Sequence, residues 1–593
     1  MAYQHGVYVQ EIPTSVIPPI TADSAVIFIV GTAPVNLLAD PAGAVNKLTL
    51  INSFAEAVEK LGYSDSFDKF SICQLLDAAF RVYNVAPIVA VNVLDPAVHF
   101  NAVVADEYDI VAKKILIEEE GILFDANFVV VGSALGGVLP EIQELTITGA
   151  TEGTFKLGVS LQNITAALDH DISAVNLAAA INGLEGFAGA QVSLLENVYT
   201  ITYTTAQGDS GIIILDNSLI GDPEPVMTLE IVQAYVPATT TYVKDQDYSL
   251  EFTDDGYAQL TVISEEDGGT IPAEMTELSV AYHQLDSTAV EIDDIIGGYS
   301  AGVYTGLECI GQIYPQLGIV PGLIVAPGWS QNPEVAIAMT AKCEGINGSF
   351  KCNTILDIDS TEATGAVEYS EVNAWKNANS YTDRHNFVYW PMVKIGSKQY
   401  YFSAIMAALI AYTDASNGSV PFVSPSNKAL RITGTVLADG TEVFLDQIQA
   451  NYLNGLGINT AINVNGWKSW GNNTGIYPSS SDPKDRWIAA RRMFDFEGNS
   501  FILTFFQKVD SPTNYRLIES IVDSWNIARN GMKALGQIID SWIEFDLDEN
   551  PITDLLNGKI TFHQHYTPPL PAEQIVNILE FDPTALTTAL GGD

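Results

Sequence analysis

One acidic block limits what this chain can fold into. Between Asn101 and Val290 stand 30 Asp or Glu residues against four lysines (Lys113, Lys114, Lys156, Lys244) and no arginine. More than half of the chain's formal net charge of −46 therefore lies in under a third of its length. The block reads as short alternating runs, such as Glu144–Thr148, Thr200–Tyr203 and Leu260–Ile263, with turn residues between them. One helical pattern falls near Ser173–Ile181. This texture predicts one or two small β-rich modules over 101–290, outward-facing and solvated by their charge. Whatever precedes and follows must close across such an insertion.

The two flanks share a different texture. Ala25–Ala33 is a continuous apolar run ending in small residues, the mark of a strand buried on both faces. Helical patterns around Ser53–Leu61 and Ile72–Val82 lead to a second apolar run, Ile88–Val93. Beyond Glu291 the same alternation returns. Gly318–Gly328 holds a strand between Pro-Gly pairs, Asn332–Lys342 reads as a helix, and Asn353–Asp359 and Phe387–Pro391 read as further strands. Phe402–Tyr412 is a helix of small residues. The fold class that follows is α/β (α+β) and multidomain, with mixed sheets, mainly parallel in the core. The expected divisions are an N-terminal arm at 1–22, core at 23–100, the insertion at 101–290, core again at 291–440, a C-terminal assembly domain at 441–570, and a C-terminal arm at 571–593. The arms rest on β-forming residues outside any core pattern: Val7, Tyr8, Val9 and Ile12 at one end, Ile575, Val576, Ile578 and Leu579 at the other. Segments of that kind add as strands to another sheet.

Near the C-terminus, Lys484, Arg486, Arg491 and Arg492 place four cations in nine positions of an acidic chain. Concentrated beside the apolar run Phe501–Phe506, they predict a contact with an acidic partner. After Ser511-Pro512, read as a helix start, the positions Ile518, Ile521, Val522, Trp525, Ala528, Met532 and Leu535 make one helical face. The overall charge repels nucleic acid and anionic membrane. No apolar run reaches the roughly 18 residues of a membrane span, and the start of the chain lacks a signal peptide's basic and apolar regions. Cys73, Cys309, Cys343 and Cys352 form no C-x-x-C pair and read as reduced, buried thiols. His563 and His565 share a strand face, but no third ligand stands at a set spacing, so neither a metal nor a cofactor is expected. The one enzymatic pattern is Asp357-Ile358-Asp359-Ser360-Thr361, which resembles the first motif of haloacid-dehalogenase-type, Mg-dependent phosphatases. There the first Asp is the nucleophile and the second the acid/base.

Taken in order, several stretches resemble the contractile tail sheath proteins of bacteriophages and phage-tail-like particles. They are Tyr3–Glu11, the Ile27–Thr32 run, Pro321–Gly328, Ile355–Asp357, Tyr389–Pro391, Thr413-Asp414, Pro421 with Ser424–Asn427, Trp470-Gly471 with Thr474, Arg491-Arg492 with Phe494, and Pro571–Ile575. The resemblance covers roughly 1–100 and 290–593 and implies a non-enzymatic structural subunit. It implies hexameric rings stacked as a helical sheath around a tail tube, which contract to drive the tube through a target envelope. The implied partners are further copies of the chain, the tube protein, and baseplate and tail-terminator proteins, with no direct nucleic-acid contact and no membrane insertion. The implied location is the virion tail, assembled in the host bacterial cytoplasm. The arms would complete a sheet in neighbouring C-terminal domains, and Lys484, Arg486, Arg491 and Arg492 would face the tube.

Overall fold

The computed structural model describes residues 18–204, 210–233, 236–273 and 275–590. The arm residues Val7, Tyr8, Val9 and Ile12 lie outside the described residues. The chain divides into two compact units, Met1–Phe100 with Leu285–Asp593, and Asn101–Gln284.

The first unit is built on a six-stranded sheet. Strand β1 (Ile27–Gly31) is followed by β2 (Thr49–Ile51), helix α1 (Phe54–Leu61), helix α2 (Ser71–Leu76) and β3 (Ile88–Asn92). After the second unit come β4 (Leu323–Val325), α3 (Pro333–Lys342), β5 (Asn353–Asp357), β6 (Asn386–Tyr389) and α4 (Phe402–Ala415). The strand order is β2-β3-β1-β4-β5-β6. All pairs are parallel except β2 with β3. Every residue of β1, β3, β4, β5 and β6 is buried, as a sheet covered on both faces requires. Local signals fix the helix starts. Ser53 Oγ accepts the Glu56 N–H at 3.2 Å before α1, and Asn332 Oδ1 accepts the Glu334 N–H at 2.9 Å before α3, with Pro333 in its first turn.

The second unit contains two separate hydrophobic cores. The outer module uses strands from 100–139 and 236–285, and its core includes Ile115, Ile117, Phe128, Val130, Tyr248, Leu260 and Tyr282. Nested in it, a second module over 142–233 packs a four-stranded and a three-stranded sheet with the helix Ala174–Asn182 around Leu145, Phe155, Leu157, Leu177, Ile181 and Tyr199. The return to the first unit comes at Leu285, not after Val290. The Asp286 N–H already donates to His99 O at 3.0 Å, and Val290 is buried.

The C-terminal part carries α5 (Ile488–Phe505), α6 (Tyr515–Ala534) and a two-stranded sheet of β7 (Asp540–Glu544) and β8 (His563–Thr567). Residues 441–570 do not separate from the core as a domain of their own. Asn459 bridges to Tyr389 of β6 and accepts the Trp390 N–H at 3.1 Å, which draws this region onto the main sheet. The Phe501–Phe506 run belongs to α5 and the turn after it. Helix α6 starts at Asn514, whose Oδ1 accepts the Leu517 N–H at 3.0 Å, three residues past the expected Ser511 cap. Residues 574–580 form no strand within the chain.

Candidate functional site

The basic stretch begins with a cap and ends on a buried helix. Asp482 caps the short turn Pro483–Arg486, and α5 follows from Ile488. The four cations do not form an open patch. Arg491 is buried and donates to Asp495 Oδ1 at 2.8 Å and to Asp485 Oδ1 at 3.1 Å. Arg492, 3% exposed, donates to Asp414 Oδ1 at 3.0 Å and to the Ser24 carbonyl at 3.0 Å. Lys484 pairs with Asp482 at 2.6 Å and Asp485 at 2.8 Å, and its ammonium is held above the usual lysine range by those bonds, Asp482 first. Arg486 lies over the Tyr477 and Trp487 rings and pairs with Glu573 at 2.9 Å. The expectation that this cluster offers free charge to an external partner is corrected for Arg491 and Arg492, which are enclosed with carboxylates of their own chain. For Lys484 and Arg486, own-chain carboxylates take up most of the charge.

These pairs do structural work at the roots of both arms. Arg492 and Asp414 hold Ser24, whose Oγ also donates to Asp414 Oδ2 at 2.8 Å. Upstream, the Ala22 N–H donates to Ser500 Oγ at 2.9 Å and the Ile20 N–H to Thr504 Oγ1 at 2.9 Å, so residues 20–24 run along α5. At the other end, Arg486 fixes Glu573. Immediately beyond, Ile575, Val576, Ile578 and Leu579 are 68–88% exposed, and Phe581 is 80% exposed. A run of five large apolar side chains in water is costly unless something covers it.

The β7–β8 sheet has one face on the body and one open. Ser541 and Ile543 are buried, with Ile543 packed in a cluster with Phe505, Ile521 and Trp525. On the open face Trp542 stacks on His565 at 4.3 Å, His563 pairs with Glu549 at 2.8 Å, and His565 lies 3.6 Å from Glu544. Among the described residues no group of three His, Cys, Asp or Glu is placed to hold a metal ion. Neither β7 nor β8 has a second strand partner among the described residues, so each leaves an edge of backbone donors and acceptors open.

Asp357 is not a nucleophile. It is 3% exposed and sits at the end of β5, where it accepts the Ser403 N–H at 2.8 Å and the Ser330 hydroxyl at 3.0 Å. It thus caps α4, and burial pushes its carboxyl up to about 6 against those bonds. Asp359 accepts from Thr361 and Thr364 within one turn. The nearby open cleft, about 990 Å³, is lined by Asp359, Glu362 and Glu371 with Trp329 and Trp375, and by no lysine, arginine or histidine that could meet a phosphate. The phosphatase reading of Asp357 and Asp359 is therefore overturned.

No protein-family profile matches the chain. The tail sheath protein of Burkholderia phage BcepMu is 25% identical over 100% of this chain and 99% of its own. A prophage major tail sheath protein of Pseudomonas aeruginosa, named as putative, is 28% identical over 51% of this chain and 75% of its own. The tail sheath protein of Escherichia phage P2 is 27% identical over 55% and 78%. Among solved structures, the sheath tail protein of Desulfitobacterium hafniense matches with a TM-score of 0.41 at 10% identity, over 91% of this chain and 94% of its own. The full-length match is to a structural tail protein, and this chain likewise has an α/β core with an extended segment over 571–582. The full-length likeness to the BcepMu protein supports a contractile tail sheath subunit of the phage type.

Counting only cations missed Asp414, Asp482, Asp485, Asp495 and Glu573. Part of the signal was present: Asp482 and Asp485 interleave with the cations, and Arg491 and Asp495 stand at the i, i+4 spacing of a helical ion pair. Asp414 and Glu573 are 78 and 87 residues from their partners, and no spacing rule reaches that far.

Proposed function

We propose that copies of this chain stack as hexameric rings around a tail tube, and that strand exchange between copies holds the rings together while the sheath contracts and drives the tube through an envelope. The observation that carries this reading is the C-terminal arm: an extended, exposed, apolar segment from Ile575 to Phe581, anchored at Glu573, in a chain whose β7–β8 sheet has both edges open among the described residues. Strand addition would cover the apolar side chains and the open backbone together. The N-terminal arm, with Val7, Tyr8, Val9 and Ile12, acts as the second donor on this reading. Contraction needs no chemistry in the subunit, so the protein is not an enzyme. The sheath ends meet baseplate and tail-terminator proteins, and assembly takes place in the host bacterial cytoplasm before the particle is released.

The tube contact falls at the turn between α5 and α6. There Phe506, Val509 and Tyr515 are 66–75% exposed, and Lys508 and Arg516 have no ion pair among the described residues. In a chain of net charge −46, cations without a carboxylate of their own suit an acidic partner surface. Electron microscopy of the purified chain tests the assembly reading: tubes are expected from the full chain, and only dispersed subunits after removal of 571–593. Long tubes from the truncated chain would refute the arm's role.

A further inference from the structure

Two of the four cysteines stand together. Cys343 follows the last residue of α3 and Cys352 precedes β5, and the Cys352 N–H donates to Cys343 O at 2.9 Å. Between them Ile346 and Phe350 bridge, which folds the ten-residue stretch back on itself. Both side chains are buried, at 0% and 1% exposure, and Cys343 Sγ donates to the Met339 carbonyl at 3.5 Å. Burial, and then the neighbouring Cys352 thiol, holds the Cys343 thiol well above its usual range.

A small cavity of about 20 Å³ reaches Cys352. Its lining includes Asn353, whose Oδ1 is buried and accepts no hydrogen bond, the cations Lys351 and Arg492, and the carboxylates Asp23 and Asp495. A polar cavity of that size holds one molecule on the scale of water. Hydrogen peroxide is close to that scale and can donate to the Asn353 oxygen.

We propose that Cys352 and Cys343 are a peroxide-oxidisable dithiol, with Cys352 the sulfur that attacks peroxide at the cavity and Cys343 the resolving one. The Cys352 sulfur gives up its thiol proton and attacks one peroxide oxygen, the O–O bond breaks, and Cys352 becomes a sulfenic acid as the other oxygen takes that proton and leaves as water. The Cys343 sulfur then attacks the sulfenyl sulfur. The S–O bond breaks, a second water leaves, and a disulfide remains; the two electrons lost by the thiols are those gained by the peroxide. The disulfide closes the 343–352 loop. Its neighbour Lys351 is held to α5 by two bonds, its N–H to Asn499 Oδ1 at 2.9 Å and its carbonyl from Asn499 Nδ2 at 2.7 Å. Oxidation therefore ties the α3–β5 corner covalently beside the point where α5 docks.

The test uses the full chain, treated with hydrogen peroxide, quenched, denatured, alkylated and digested with trypsin. Cleavage after Lys342, Lys351 and Lys376 puts the two cysteines in different peptides, 343–351 and 352–376. The expected product is these two peptides joined, about 2 Da lighter than their sum, while Cys73 and Cys309 carry the alkyl group. In Cys343→Ser, Cys352 should be trapped by a sulfenic-acid reagent; in Cys352→Ser, Cys343 should stay an alkylatable thiol. The proposal is overturned if all four cysteines of the peroxide-treated chain remain alkylatable. It is also overturned if Cys73 or Cys309 oxidises as readily as the pair. The wild-type peptide map decides the question if neither variant folds.

Discussion

Replacing Arg492 by Met should be among the most damaging single changes in the C-terminal part. The guanidinium makes three hydrogen bonds in a site where Arg492 and Asp414 are 3% and 1% exposed. Removing it strands the Asp414 carboxylate in a low-dielectric interior, with the Ser24 hydroxyl as its remaining donor in this group. Breaking one side of a buried pair in this way costs about 3–5 kcal/mol. A surface pair supplies the contrast. Arg486 with Glu573, whose carboxylate is 44% exposed, is worth about 0.2–1 kcal/mol as an ion pair. Urea unfolding followed by near-ultraviolet circular dichroism, with the transition of the second unit as internal reference, would rank the two. The double variant Arg492→Met with Asp414→Leu should recover much of the loss, because an apolar pair of similar volume leaves no buried charge. An Arg492→Met protein within about 0.5 kcal/mol of wild type would refute the argument, as would a double variant no better than the single one.

Three further outcomes follow from the same structure. Excising 101–284 and joining Phe100 to Leu285 through a short linker should leave the first unit cooperatively folded, because the Asp286 N–H already meets the His99 carbonyl at 3.0 Å; loss of cooperative melting would show the units to be interdependent. Asp357→Asn should flatten the pH dependence of stability in mild acid. The folded carboxyl titrates near 6 and the unfolded one near 3.8, so wild type binds the extra proton when folded and loses stability as pH rises from about 4 to 6, by an amount on the order of 2–3 kcal/mol; equal slopes in both proteins would refute this. Reversing both Lys508→Glu and Arg516→Glu should leave melting within about 0.5 kcal/mol of wild type yet abolish co-sedimentation with tail tubes, and unchanged co-sedimentation would remove that turn from the tube contact.

The local rules of the chain were legible from residues alone. Continuous apolar runs at Ile27, Ile88, Ile324 and Ile355 announced strands buried on both faces, since such runs suit few other settings, and Ser53 and Asn332 announced helix starts through bonds three or fewer residues long. The change of charge at 101 was equally plain, because solvation acts on composition. What the tertiary structure decided was which groups meet. Arg491 and Arg492 looked like an open patch because a one-dimensional reading counts charges without their partners, and Asp414 approaches Arg492 only after α4 and α5 pack. Asp357 looked like a nucleophile because its motif is local, whereas the groups that occupy it, Ser330 and Ser403, come from two other segments. One or two β-rich modules were expected in the second unit, but not the nesting of its two cores: alternation marks a strand's buried face but not which sheet that face is buried against, and that choice is made by contacts between residues far apart in the chain.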